Sequence, residues 1–151
     1  TSAIYQSNVK QLFAYSSIAQ IGYMIVGFSL STVTGLTATL LHMFNHALMK
    51  GAIFLALAAV VYRVGNVELD NLRGLGRKMP FTMAAIYVWR VVEVAYFNEP
   101  LDNNSAIKEA PMSFLVPIWI LVIANIYFGI DTRLSVQVAE AAAQSLFGVA
   151  L

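Results

Sequence analysis

Apolar and polar positions alternate along this chain in long blocks, not residue by residue. From Gln11 to Leu30 the polar side chains are limited to Ser, Gln and Tyr, a run of about the ~20 residues that a membrane-spanning helix needs. Lys10 marks its entry. Small and hydroxyl residues (Ala14, Ser16, Ser17, Ala19, Gly22) cluster in its first half, which suits close packing of a neighbouring helix. Gly35, flanked by Thr34 and Thr37, reads as a turn followed by a threonine cap. A second span is predicted from about Leu36 to Tyr62, long enough to cross with tilt. A third runs from Met112 to Ile130, with Pro117 near its first turns, where a kink is tolerated. Phe81 to Phe97 is short for a span and holds Arg90 and Glu93. Its second half reads as a helix end whose aromatic and long charged side chains meet the headgroups. Loops are expected at 63–80 and 98–111. The Ala-rich stretch 134–151, with Glu140 and two glutamines, reads as a weak terminal helix or a segment on the far surface. The predicted fold class is all-α, one polytopic membrane domain with about three to four spans, and no internal repeat divides it.

Composition agrees with the block pattern. Of 151 residues, 59% are hydrophobic and 11% charged, against roughly 25% charged in a soluble domain. The bilayer is therefore the first expected partner. Nine Lys and Arg against eight Asp and Glu leave +1, which gives no reason to expect a nucleic acid. There is no cysteine, hence no disulfide, thiolate metal site or cysteine nucleophile. Thr1 to Gln6 offers neither a basic region nor a small-residue cleavage site, so it does not resemble a signal peptide and reads as a chain entered partway through. The stretch from Arg63 to Pro80 carries three arginines and a lysine. Two spans joined by a short turn return it to the side of Lys10, and the positive-inside rule makes that side cytoplasmic. The expectation is a multi-pass protein of the cell (inner) membrane with a cytoplasmic N-terminus and cytoplasmic loops at 63–80 and 98–111.

The chemistry lies inside the second span. His42, His46 and Lys50 stand at i, i+4 and i+8, along one stripe of a helix about ~12 Å long. Ionisable groups at membrane depth are costly and usually face a partner or a water-filled path. Histidine passes protons between its two ring nitrogens, and a desolvated lysine loads and unloads a proton more readily than a solvated one. One water per gap would complete a proton relay. The alternative has the histidines bonded to nearby backbone or hydroxyl groups and Lys50 paired with a carboxylate. A zinc or haem site is disfavoured, since the helix offers no Cys, no third His and no carboxylate, and two histidines on one helix cannot supply both axial ligands of a haem. No metal or other cofactor is expected. Neither of the first two spans contains an acid, so the partner of Lys50 is expected on a helix outside this chain or on another subunit. No nucleotide loop, nucleophile set, flavin fingerprint or iron–sulfur ligand marks an enzyme.

The block Asn8-Val9-Lys10-Gln11-Leu12-Phe13-Ala14-Tyr15-Ser16-Ser17-Ile18-Ala19-Gln20-Ile21-Gly22-Tyr23-Met24, followed by His42, His46-Ala47 and Lys50, resembles the antiporter-type membrane subunits of respiratory complex I and of multisubunit (Mrp-type) cation/proton antiporters. The stretches Leu69 to Pro80 and Tyr87 to Phe97 most resemble the D-type member of the antiporter assembly. The resemblance extends over roughly the whole chain and about the C-terminal third of the family's length. It implies a partial antiporter-like bundle, with His42, His46 and Lys50 as connecting groups of a polar axis and Lys10 as the basic residue at a helix entry. It also implies that two spans are missing between Ile86 and Tyr87, including a broken helix with a protonatable residue, which leaves both ends of 81–97 on the cytoplasmic side and makes that stretch an interfacial or re-entrant segment. The partners implied are other membrane subunits, protons and, for an antiporter, sodium. The function implied is proton movement coupled to monovalent cation exchange, or to quinone reduction in an NADH:quinone oxidoreductase whose enzyme activity belongs to the larger complex. A non-conducting structural or remnant subunit is the alternative from another class.

Overall fold

The computed structural model describes residues 8–86, 95, 97 and 107–148. Among them, three helices are long and apolar enough to cross a membrane. Helix α1 (Val9–Ser29) starts at Asn8, whose side-chain oxygen accepts the backbone N–H of Lys10 at 2.9 Å. That bond satisfies one of the donors a helix start leaves open.

The chain reverses at Leu30 to Thr32, earlier than Gly35, where the turn was expected. Ser31 takes the positive φ of 50° there, and Thr32 caps α2 (Val33–Val64) by accepting the Gly35 N–H at 3.0 Å. Gly35 is buried inside the first turn of α2. A Cβ at this position would lie 2.6 Å from the Gly27 carbonyl oxygen. Glycine here permits close approach of two helices instead of a turn. Thr37, expected as a cap, donates back to the Val33 carbonyl at 2.8 Å. Helix α2 ends on Gly65, whose φ of 89° and bond to the Val61 carbonyl at 2.8 Å form a left-handed cap.

The stretch 63–80 is more structured than a loop. It contains a 3₁₀ turn (Leu69–Leu72), α3 (Leu75–Lys78) and the start of α4 (Pro80–Ala84). Leu69, Leu72, Leu75 and Met79 are buried and join Phe13 and Val60 in one apolar core. The Val9 N–H donates to the Val67 carbonyl at 3.0 Å, so the start of α1 and this stretch lie at the same end of the hairpin. Beyond Ile86, the segment 81–97 lies outside the described residues except for Ala95 and Phe97. The same holds for Tyr87, Arg90, Glu93 and 98–106.

Glu109 straps the loop end together. Its carboxylate accepts from the Phe81 N–H at 2.9 Å, the Thr82 hydroxyl and the Ala110 N–H, while its carbonyl accepts from Arg63 at 2.7 Å. Helix α5 (Met112–Ile130) then packs on α2, as does α6 (Arg133–Leu146), which buries Ala139 and Ala143. An apolar cavity of about 330 Å³ lies between α2, α5 and α6, lined by Leu40, Phe44, Phe128 and Val138 among others. Helix α2 is thus the central element, in contact with α1, α5 and α6.

Candidate functional site

Helix α2 runs unbroken for 32 residues, about ~48 Å at 1.5 Å per residue, which exceeds the ~30 Å hydrocarbon core. Lys50 falls near its middle. The helical repeat sets His42, His46 and Lys50 on one face, and the two imidazoles stack with centroids 6.1 Å apart and planes 13° from parallel. His46 and Lys50 are one turn apart, about ~6 Å along the axis. Neither gap is closed by a direct hydrogen bond among the described residues, so proton passage along the stripe requires a bridging water in each.

Lys50 is 7% exposed. Its ammonium crosses to α1, where Nζ donates to the Phe13 carbonyl at 2.9 Å and to Ser16 Oγ at 2.7 Å. It also stands 5.0 Å from the centre of the Phe13 ring. Two neutral oxygens and a π face therefore take the place of water around the charge. Among the described residues no carboxylate comes within salt-bridge distance of Lys50; the ion pair of Arg73 with Asp70, at 3.2 Å, is on the loop. Among the described residues the partners of Lys50 are uncharged and lie on α1. A search for acids along the sequence could not find them. The signal was present in the hydroxyl pair Ser16 and Ser17, which the structure separates in role. Ser17 Oγ donates at 3.0 Å to the Phe13 carbonyl of its own helix, whereas Ser16 faces Lys50.

Toward the N-terminal half of α2, His42 Nε2, Asn45 Oδ1 and His46 Nδ1 are enclosed without a hydrogen-bond partner among the described residues. A buried polar atom left so costs about 1–3 kcal/mol, which makes this the most polar-demanding part of the helix. Asn45 was not singled out by sequence reasoning, although it lies three residues after His42 and so borders the same helix face. Lys10 is exposed in the first turn of α1 and is not brought to the stripe. Among the described residues, no three His, Cys, Asp or Glu side chains converge as a metal-binding group.

A model of the transmembrane family described as NADH:quinone oxidoreductase/Mrp antiporter matches residues 1–130. The chain belongs to this family. Its relatives in the NADH:quinone oxidoreductase/Mrp antiporter family include NADH-quinone oxidoreductase subunit N of Chlorobium chlorochromatii, 39% identical over 89 residues, covering 59% of this chain and 17% of that protein. Subunit N 2 of Chloroherpeton thalassium is 26% identical over 163 aligned positions, covering 99% of this chain and 31% of that protein. Hydrogenase-4 component B of Escherichia coli is 33% identical over 97 residues, covering 57% of this chain and 14% of that protein. The chain spans less than a third of the length of each of these relatives.

Proposed function

We propose that this chain is part of a proton-translocating, antiporter-type membrane subunit in which His42, His46 and Lys50 relay protons within the membrane. The observation that supports this most is the solvation of Lys50. An ammonium held by a hydroxyl and a carbonyl, with no counter-charge in reach among the described residues, is not fixed in place by an ion pair and can exchange its proton with a neighbour. The stacked histidines and the enclosed polar atoms beside them supply acceptors one and two turns away. Lys10 and the basic stretch 63–80 lie at one end of the hairpin and, by the positive-inside rule, on the cytoplasmic side of the cell membrane.

Two couplings suit such a relay. The likeness of the loop to the D-type member of cation/proton antiporters favours exchange against a monovalent cation such as sodium. The names of the relatives, subunits of quinone oxidoreductases and a hydrogenase component, favour translocation driven by a redox partner. In both, other membrane subunits complete the path. The test places Lys50→Ala or His46→Ala in a complete parent protein. Proton-coupled transport falls by about a hundredfold or more, the scale of a lost proton-transfer group, while assembly is retained. Transport at the parent level would refute the relay.

A further inference from the structure

The two oxygens that hold Lys50 differ in what they can do. The Phe13 carbonyl accepts hydrogen bonds and never donates, whereas the Ser16 hydroxyl does both. With Lys50 charged, two of its three N–H groups point to these oxygens, at 2.9 and 2.7 Å. When the ammonium gives up its remaining proton to water or to the next acceptor, the neutral amine has two N–H groups and a lone pair. The Phe13 carbonyl still accepts one N–H. The NH2 group rotates about Cε–Nζ so that its lone pair faces Ser16, and the Ser16 hydroxyl hydrogen turns toward it and reverses the direction of that bond, without Ser16 gaining or losing a proton.

We propose that Ser16 is a positioning residue that holds Lys50 against α1 in both of its protonation states, so that the side chain keeps its place after its proton leaves. The proposal rests on the reading of Lys50 as a proton carrier. The surroundings single out this hydroxyl. Beside Lys50 on α2 the nearest ionisable residue is His46, one turn away. Helix α1 carries Lys10, Tyr15 and Tyr23 but no acid, and α5 carries Tyr127 but no acid; α6 carries Arg133 and Glu140 and meets α2 at Leu40, Leu41 and Phe44, more than a turn from Lys50. Ser17 is occupied with its own helix. Position 16 is therefore the side-chain oxygen on α1 that bonds to Nζ among the described residues.

The protein has four lysines, so the ¹⁵Nζ signal of Lys50 in the full chain, labelled and reconstituted in liposomes, is assignable by comparison with Lys50→Met. The measurement is the N–H and Cε–H dipolar order of Lys50 on either side of its own titration midpoint. Ser16→Thr keeps the hydroxyl, Ser16→Val matches threonine in size without it, and Ser16→Ala is a good helix former. The wild type and Ser16→Thr are expected to stay ordered in both states, whereas Ser16→Val and Ser16→Ala become mobile once Lys50 is neutral. Equal order in all four proteins would overturn the proposal. So would equal mobility of Ser16→Thr and Ser16→Val, which would reduce the role to packing, or a Lys50 that stays charged throughout the pH range in which the chain is folded. The relay reading has a separate fate. If Lys50→Ala leaves transport of the parent intact while the Thr and Val variants still differ, the relay fails and the positioning role stands. If transport needs Lys50 but the variants do not differ, the reverse holds.

Discussion

Gly35→Ala tests how the α1–α2 hairpin is built. The added methyl would sit 2.6 Å from the Gly27 carbonyl oxygen, 3.0 Å from Thr32 Oγ1 and 3.1 Å from Leu30 Cβ. Ordinary contact begins near 3.4 Å, so the backbone of α1 must retreat by about 0.8 Å (3.4 minus 2.6). Overpacking of this kind costs about 1–3 kcal/mol. The Thr32 hydroxyl is crowded as well, and it is the group that caps α2 through the Gly35 N–H at 3.0 Å. A lost cap adds about 1 kcal/mol. Alanine returns about 1 kcal/mol as a better helix former than glycine. The expected net loss is about 2 kcal/mol. Gly22 supplies the control, because a Cβ there meets nothing within 4 Å. Gly22→Ala should therefore stabilise the same helix pair by about 0.5–1 kcal/mol. Reversible unfolding of the reconstituted chain, followed by denaturant titration, reads both. Equal effects of the two substitutions, or a Gly35→Ala protein as stable as the parent, would refute the close crossing.

Other consequences follow from the loop end and from topology. Glu109→Ala removes the acceptor shared by the Phe81 N–H, the Thr82 hydroxyl and the Ala110 N–H. Hydrogen exchange should speed up at residues 81–86 by about tenfold or more, as expected for losing bonds to a charged acceptor; unchanged protection would show that the strap contributes nothing. Because the protein has no cysteine, single cysteines report topology cleanly. Lys10→Cys and Arg73→Cys should react with a membrane-impermeant thiol reagent from the same side, and Ser31→Cys from the opposite one. Labelling of all three from one side would contradict the hairpin.

Much of this was legible in the sequence, for reasons that differ from element to element. The stripe on α2 stood out because charge inside an apolar run is expensive, and no packing requirement explains it. The close crossing at Gly27 and Gly35 was hidden, because a glycine beside threonines signals a turn as readily as it signals contact between helices. The buried row Leu69, Leu72, Leu75 and Met79 was also missed, since basic and glycine residues between its members masked a spacing of three and four. The partners of Lys50 escaped for a chemical reason. A backbone carbonyl has no sequence signature, and a serine in a cluster of small residues looks like packing. The missing spans implied at the Ile86/Tyr87 junction concern a stretch that begins at buried Ile86 and continues outside the described residues.

The most direct test of the relay separates a proton carrier from a fixed charge. Arginine keeps the charge of Lys50 but does not release its proton in proteins. In a complete parent subunit assembled with its partners and reconstituted in sealed vesicles, proton flux is measured for the wild type and for Lys50→Arg. Lys50→Arg is expected to reduce flux by about a hundredfold or more with assembly unchanged, and flux equal to the wild type would contradict the relay.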